Sequence, residues 1–266
     1  LFMLRFMQRD IVRLPVKKLL PDLALSGLFM GLGIASKWIG IYAGVGLAVL
    51  FFAILYSRFA QYRQAKRQLR QEGRSEQAVR AARNIVERFP KCALVTLLCC
   101  VLFFVVIPVG IYIGSYYQFL RIDEPHHGLK EVWNYQLHMF NYHKAVFDSH
   151  PYESPWYQWP LMLRPIWYFL GEFEPGGSIS SIASFGNPAV WWPGLAAILW
   201  LIVRAAKGYG RQDKRIYIVL LGYFANFLPW VLVPRTTFIY HYFASVPFLT
   251  MAIGLFLEDF YARAKR

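Results

Sequence analysis

Cysteine, acid and extended polar sequence are all scarce in this chain, and each shortage excludes something. The three cysteines, Cys92, Cys99 and Cys100, fall in or beside one apolar run. That leaves no disulfide framework and no paired CxxC metal site, so they read as packing residues facing lipid or neighbouring helices. Acidic residues number 15 against 29 Lys plus Arg, a formal net charge of +14. No serine- or lysine-rich tail accompanies that charge, and the basic residues sit between apolar runs, which argues against a nucleic-acid partner. There is no signal-peptide pattern and the first residue is Leu1, so we expect the sequence to begin inside a longer protein. What remains is apolar. Hydrophobic residues make up 57% and aromatics 18%, and mean hydropathy is positive at +0.34. That composition belongs to membrane proteins.

Apolar runs of about 18 residues cross a hydrocarbon core of roughly 30 Å. Such runs occupy 93–115, 189–203, 216–233 and 238–257. The stretch 23–56 is too long for one span and contains GIASKWIGIYAG, a lysine with glycines on both sides. We read it as two spans with a tight turn near Ser36 to Gly40; one strongly tilted helix is the alternative. The fold class is therefore all-α integral membrane, with about six transmembrane helices and interfacial helices in one large outer loop.

Charge orients the spans. Segments 1–22, 58–91, 204–215 and 258–266 hold 23 of the 29 basic residues and 8 of the 15 acids. The segment 119–188 holds 4 basic residues and 7 acids. Lys37 and Arg235 complete the count, each in a short turn between spans. The positive-inside rule places the first group in the cytoplasm and 119–188 outside, with both ends of the chain inside. The basic segment 58–91 reads as a helical cytoplasmic loop in contact with anionic lipid, broken at Gly73 and stopped at Pro90.

The outer loop carries five of the six histidines: His126, His127, His138, His143 and His150. Within it Trp133, Leu137, Phe140 and Phe147 share one helical face, the pattern of a helix lying in the membrane interface. The stretch HPYESPWYQWPLMLRPIWYFLG, 150–171, reads as a second interfacial piece. Trp and Tyr prefer the headgroup level, and its prolines prevent a long helix.

Candidate functional residues follow from charge and position. Lys37 and Arg235 are cations at outer span ends, suited to gripping a phosphate, with snorkelling or pairing to an acid as the alternative. His150, Glu153, Trp156 and Trp159 form the densest group of sugar-binding side-chain types, since aromatic faces pack on sugar rings and Glu or His bonds hydroxyls. Tyr240 and His241, beside Tyr242, make a polar cluster in an apolar run; a packing histidine is the bland reading. Asp123 and Glu124 read as a solvated pair. The histidine spacing fits no metal pattern, with neither HExxH nor HxxxH on a clear helix.

Four stretches carry a resemblance: GLFMGLGIASKWIGIYAG, NYHKAVFDSHPYESPWYQWPLMLRPIWYF, GNPAVWWPG and RTTFIYHYFASVPF. In this order they resemble the C-terminal half of the protein O-mannosyltransferase family, which uses dolichyl- or polyprenyl-phosphate mannose. The compact outer loop resembles the bacterial members. The resemblance implies a C-type glycosyltransferase moving mannose from a lipid phosphate to Ser or Thr of proteins on the outer face, with inversion. It implies no tightly bound cofactor, with polyprenyl-phosphate-mannose as donor substrate, and leaves a divalent-metal requirement open. The implied partners are membrane lipid, the lipid-linked donor and a secreted or translocating protein, delivered by the secretion translocon. The implied site is the bacterial plasma membrane rather than the endoplasmic reticulum. The catalytic carboxylate is expected in a first outer loop upstream of Leu1, so that role is not carried onto Asp123 or Glu124. The rivals are another lipid-phosphate-sugar transferase, a transporter and a non-catalytic scaffold. Neither internal repeats nor midplane charges support the transporter.

Overall fold

The structure, a computed structural model, describes residues 1–9, 14–71, 73–145, 150–171 and 179–265. Six of its helical segments are long and apolar enough to cross a membrane: Val16–Ser36, Gly40–Gln68, Glu76–Ser115, Pro188–Ala206, Arg215–Leu232 and Ile239–Ala264. The six-span reading holds. The chain divides into two compact units, Leu1–Val132 and Trp133–Arg266.

In the first unit, α1 (Phe2–Gln8) precedes α2 (Leu20–Ser36), α3 (Gly40–Gln68) and α4 (Glu76–Val101). A π-helical stretch, Leu102–Val106, carries α4 into α5 (Ile107–Ser115). The 23–56 run is indeed two spans. Lys37 ends α2 by donating its N–H to the Gly33 carbonyl at 3.1 Å, and its own carbonyl accepts from Gly40 at 2.9 Å. A side chain at Gly40 would meet the Gly33 carbonyl carbon at 2.8 Å, so only glycine lets α3 leave so close to α2. The Trp38 indole donates to the Tyr112 hydroxyl at 2.7 Å and ties this turn to α5. Met3, Phe6, Leu19, Leu23, Phe51, Ile54 and Cys92 form the core. Beside it Asp22 is 2% exposed and paired with Arg9 at 2.7 Å and Arg5 at 3.4 Å, both from α1 and the residue that follows it.

Segment 58–91 consists largely of the continuing ends of α3 and α4. With 29 residues, α3 runs about 44 Å at 1.5 Å per residue, well beyond the hydrocarbon core. Phe59, Tyr62 and Phe89 stack between the two helices, and Ala65 and Ala82 are buried beside them. Gly73 takes a left-handed φ of +82° at the break, as expected. Ser75 then caps α4, its hydroxyl accepting the Ala78 N–H at 3.4 Å. Pro90 is a correction. It does not stop the helix but lies inside α4. Proline removes one backbone bond, whereas ending a helix at a bilayer's edge would strand several polar groups, so continuity wins.

The helix α6 (Leu129–Ala145) contains the division between the units. Its first turn is fixed by Glu131, whose carboxylate accepts the Gly128 N–H at 2.8 Å, and that bond holds the acid below its ordinary range. Trp133, Leu137 and Phe140 are exposed on it, and Phe147 lies outside the described residues.

The second unit then runs through a 3-10 stretch, Trp156–Leu161, and two short strands, β1 (Ile166–Gly171) and β2 (Ser180–Ser184). The strands pair antiparallel, Ile166 opposite Ser184 and Gly171 opposite Ser180. This small sheet is an addition to the all-helical expectation. Three helices follow: α7 (Pro188–Ala206), α8 (Arg215–Phe227) and α9 (Val246–Ala264). Asn187 caps α7 by accepting the Ala189 N–H at 2.9 Å, with Pro188 in the first turn where its missing N–H costs nothing. Gly194 on α7 admits the Leu249 side chain of α9. At the far end an ion-pair network joins the three helices. Asp259 bonds Arg204 at 3.1 Å and Arg263 at 2.8 Å, while Arg215 bridges Asp213 at 2.8 Å and Glu258 at 2.9 Å.

Candidate functional site

The SPWYQWP stretch is joined to the segment that enters α9 by paired backbone and side-chain bonds. Ser154 donates its N–H to the Thr237 carbonyl at 2.9 Å, and the Thr237 hydroxyl donates back to the Ser154 carbonyl at 2.9 Å. The Trp159 indole donates to the Ser154 carbonyl and hydroxyl, each at 3.0 Å. The Trp159 carbonyl in turn accepts the Trp191 indole from α7 at 2.7 Å. Trp159 is 1% exposed, with its ring stacked on His241 and edge-on to Trp230. His241 is 3% exposed, and its Nδ1 lies 3.1 Å from the Phe238 nitrogen and 2.9 Å from the Phe238 oxygen. One of these nitrogens and oxygens is its partner in either tautomer. Below them the Tyr223 and Tyr242 hydroxyls bond at 2.8 Å.

This geometry separates the sequence candidates. Trp159 and His241 are buried inside the joint, their rings packed on each other and on Trp230. His150, Glu153, Trp156 and Tyr240 remain at least partly accessible. The exposed His150 accepts the Tyr152 N–H at 3.2 Å on Nδ1 and sits edge-on to Phe238. Glu153 reaches the His150 N–H at 3.4 Å with its carboxylate, while its carbonyl accepts Arg164 at 3.1 Å. Trp156 packs edge-on against Phe227, and Tyr240 stacks on Phe238. Ser154, Thr237, Trp191 and Trp230 were not singled out from sequence, although Ser154, Thr237 and Trp191 fall within the quoted motifs. Their signal was the clustering of hydrogen-bonding side chains with tryptophan in otherwise apolar surroundings.

Arg235 is half-buried two residues before Thr237. Its guanidinium donates to the Thr236 carbonyl at 3.4 Å and has no carboxylate partner among the described residues. Its charge reaches His143, whose pKa lies below the ordinary 6.5 because the surrounding protein displaces water and, second, because Arg235 is cationic. The guanidinium also acts electrostatically on Tyr240, as does Tyr168 of β1. A cation with no carboxylate partner among the described residues can receive an anion without first breaking an ion pair. Lys37 belongs to the first unit, exposed at the C-terminal end of α2. Asp123 and Glu124 are exposed in the same unit. Among the described residues no three His, Cys, Asp or Glu side chains come together as a metal site would need.

Comparison with known proteins agrees with these motifs. Residues 128–266 match the family model for the C-terminal four-transmembrane region of protein O-mannosyltransferase. The chain is 27% identical over 265 residues to the polyprenol-phosphate-mannose–protein mannosyltransferase of Mycobacterium tuberculosis, covering 88% of this chain and 46% of that protein. The protein of the same name from Mycolicibacterium smegmatis is 26% identical over 262 residues, with coverage of 88% and 46%. A dolichyl-phosphate-mannose–protein mannosyltransferase of Saccharomyces cerevisiae is 28% identical over 146 residues, 48% of this chain and 17% of that protein. The chain thus spans about half the length of the mycobacterial relatives it matches. No solved structure matches it significantly. On the family match, which takes in the Ser154–Thr237 joint, Arg235 and the last three spans, the chain belongs to the protein O-mannosyltransferase family.

Proposed function

We propose that this chain forms the donor-binding part of an enzyme that transfers mannose from a polyprenyl-phosphate carrier to Ser or Thr of proteins on the outer face of a bacterial plasma membrane. The observation that carries this reading is the family match over 128–266. In the reaction the acceptor hydroxyl attacks the anomeric carbon of mannose and the bond from that carbon to the phosphate oxygen breaks. The electron pair leaves on the lipid phosphate, and the hydroxyl proton passes to a carboxylate base. We assign that base to the portion of the relatives that these 266 residues do not cover. Arg235 takes the donor phosphate and offsets the charge that develops as it leaves. Lys37, in the first unit, is taken on its own as a phosphate-binding cation. His150, Glu153, Trp156 and Tyr240 face sugar or acceptor, while Trp159 and His241 act as positioning residues behind them. A translocating polypeptide is the acceptor, presented in extended form as it emerges from the secretion machinery.

The test is transfer of labelled mannose from a short-chain polyprenyl phosphate to a Ser/Thr peptide, in membranes carrying the full-length gene product. Arg235→Ala should raise the donor KM about ten- to a hundred-fold, the worth of a charged hydrogen-bonding group. Arg235→Lys should recover part of that loss, because it keeps the charge but not the forked geometry. Unchanged donor dependence in both Arg235→Ala and Lys37→Ala would overturn the phosphate assignment, and an absence of mannose transfer by the parent protein would overturn the donor class.

A further inference from the structure

The β1–β2 hairpin has a surface that its own unit does not cover. Side chains along a strand alternate between two faces, and a sheet packed on a protein core buries one of them. Here β1 is bulged between Trp167 and Phe169, and beyond the bulge Phe169 and Leu170 are both exposed, as are Ser181, Ile182 and Ala183 in succession on β2; Trp167 and Tyr168 are exposed too. Both faces are therefore open. The described strand residues, IWYFLG and SSIAS, include no charge. Ile179 and Phe185, flanking β2, are exposed as well, at 77% and 59%. A two-stranded hairpin is marginal in water by itself, and one with large apolar groups on both faces is a liability unless something apolar receives it.

Its place in the chain says what that is. The hairpin is rooted on α7, a membrane span. The Leu161 carbonyl, five residues before β1, accepts the Trp192 indole of α7 at 3.4 Å. At the other end β2 stops at Ser184, four residues before Pro188 opens α7. Four residues of chain reach about 14 Å at most, so the root of the hairpin lies at the membrane boundary. Depth follows from the backbone. A two-stranded sheet has two open edges, which the hydrocarbon core does not tolerate but hydrated headgroups do. Tryptophan and tyrosine favour that same level.

We propose that the β1–β2 hairpin is a lipid-docking element, seating Trp167, Tyr168, Phe169 and Ile182 at the boundary between headgroups and acyl chains. The proposal does not depend on the transferase reading. An extended polypeptide pairing along one strand edge is the rival occupant. It would satisfy backbone groups but leave both apolar faces in water, so lipid accounts for more of what is exposed.

The experiment places the photo-crosslinking residue p-benzoylphenylalanine at Phe169, at Ile182 and, as a control, at Arg80 on the exposed surface of α4. The full chain goes into phosphatidylcholine nanodiscs, is irradiated with and without excess Ser/Thr peptide, and its adducts are weighed by mass spectrometry. All three positions are exposed, so the substitutions leave the core intact. Lipid adducts at 169 and 182, their absence at 80, and no loss on adding peptide are expected. Peptide adducts in place of lipid would overturn the proposal in favour of an acceptor-binding edge. No adduct of either kind would overturn it in favour of a hairpin standing in water.

Discussion

In the first unit α2 meets the π-helical stretch and α5 where side chains are smallest, whereas the joint of the second unit is built where they are largest. In the first, a Cβ on Gly27 would lie 2.1 Å from the Phe103 carbonyl oxygen and one on Gly31 would lie 2.9 Å from the Pro108 Cα. Backbone there approaches backbone, as in membrane helices that pack through small residues. In the second, Trp159, Trp191, Trp230 and Tyr242 interlock and direct their polar atoms at named partners. Even its close-packed glycines differ, because Gly194 and Gly222 make room for the Leu249 and Phe248 side chains. A side chain can change rotamer to relieve a clash; a helix backbone cannot. The first unit is therefore built to be rigid along its helices, and the second to hold a shaped loop against a bundle.

The largest effect should come from breaking the aromatic joint. Trp159→Ala removes a fully buried ring and should cost about 3–5 kcal/mol, read as a lowered unfolding midpoint in detergent. Trp159→Phe keeps most of the ring but not the indole donor, and should cost about 1–2 kcal/mol. Equal losses in the two variants would mean that the hydrogen bonds to Ser154, not the packing, carry the joint. In the first unit Gly27→Ala should cost about 1–3 kcal/mol through overpacking. Gly254→Ala in α9, with nothing within 4 Å of the added carbon, should be neutral or slightly stabilising, since alanine favours helix by up to about 1 kcal/mol. If the two glycine variants behave alike, close backbone contact is not what distinguishes the units. The smallest effect concerns pH. Arg215 hydrogen bonds hold the Asp213 carboxyl below its usual 3.8. A depressed folded-state pKa gives stability that is present above about pH 4 and lost as pH falls through the folded value. Arg215→Gln should abolish that part of the acid sensitivity, measured as unfolding midpoint against pH between roughly 2 and 5.

Much of the membrane architecture was legible from sequence because hydrophobic length and charge asymmetry act over whole segments. The turn at Ser36 to Gly40 could be read because a lysine amid glycines is unfavourable inside a span. Pro90 was misread for a physical reason: proline ends helices where water can take up the freed groups, and at a membrane boundary continuing is cheaper. The hairpin was missed because IWYFLG satisfies the description of an interfacial segment as well as that of a strand. Among the site candidates, Arg235 stood out because a lone cation between two spans is rare. The difference between Trp156, partly open, and Trp159, closed off, was not visible. Tryptophan suits a core and an interface equally, and only the positions of Ser154 and Trp191 decide which.

The Asp22 clasp makes the first nine residues more than a lead-in. The acid lies in the span Val16–Ser36, and its countercharges come from Arg5 and Arg9. Shortening the chain past Arg9 would leave a buried carboxylate with neither of these cations, and removing one side of such a pair is destabilising. The useful N-terminal limit for any trimmed version is therefore set by the far end of an ion pair, before the first apolar residue of the span it serves.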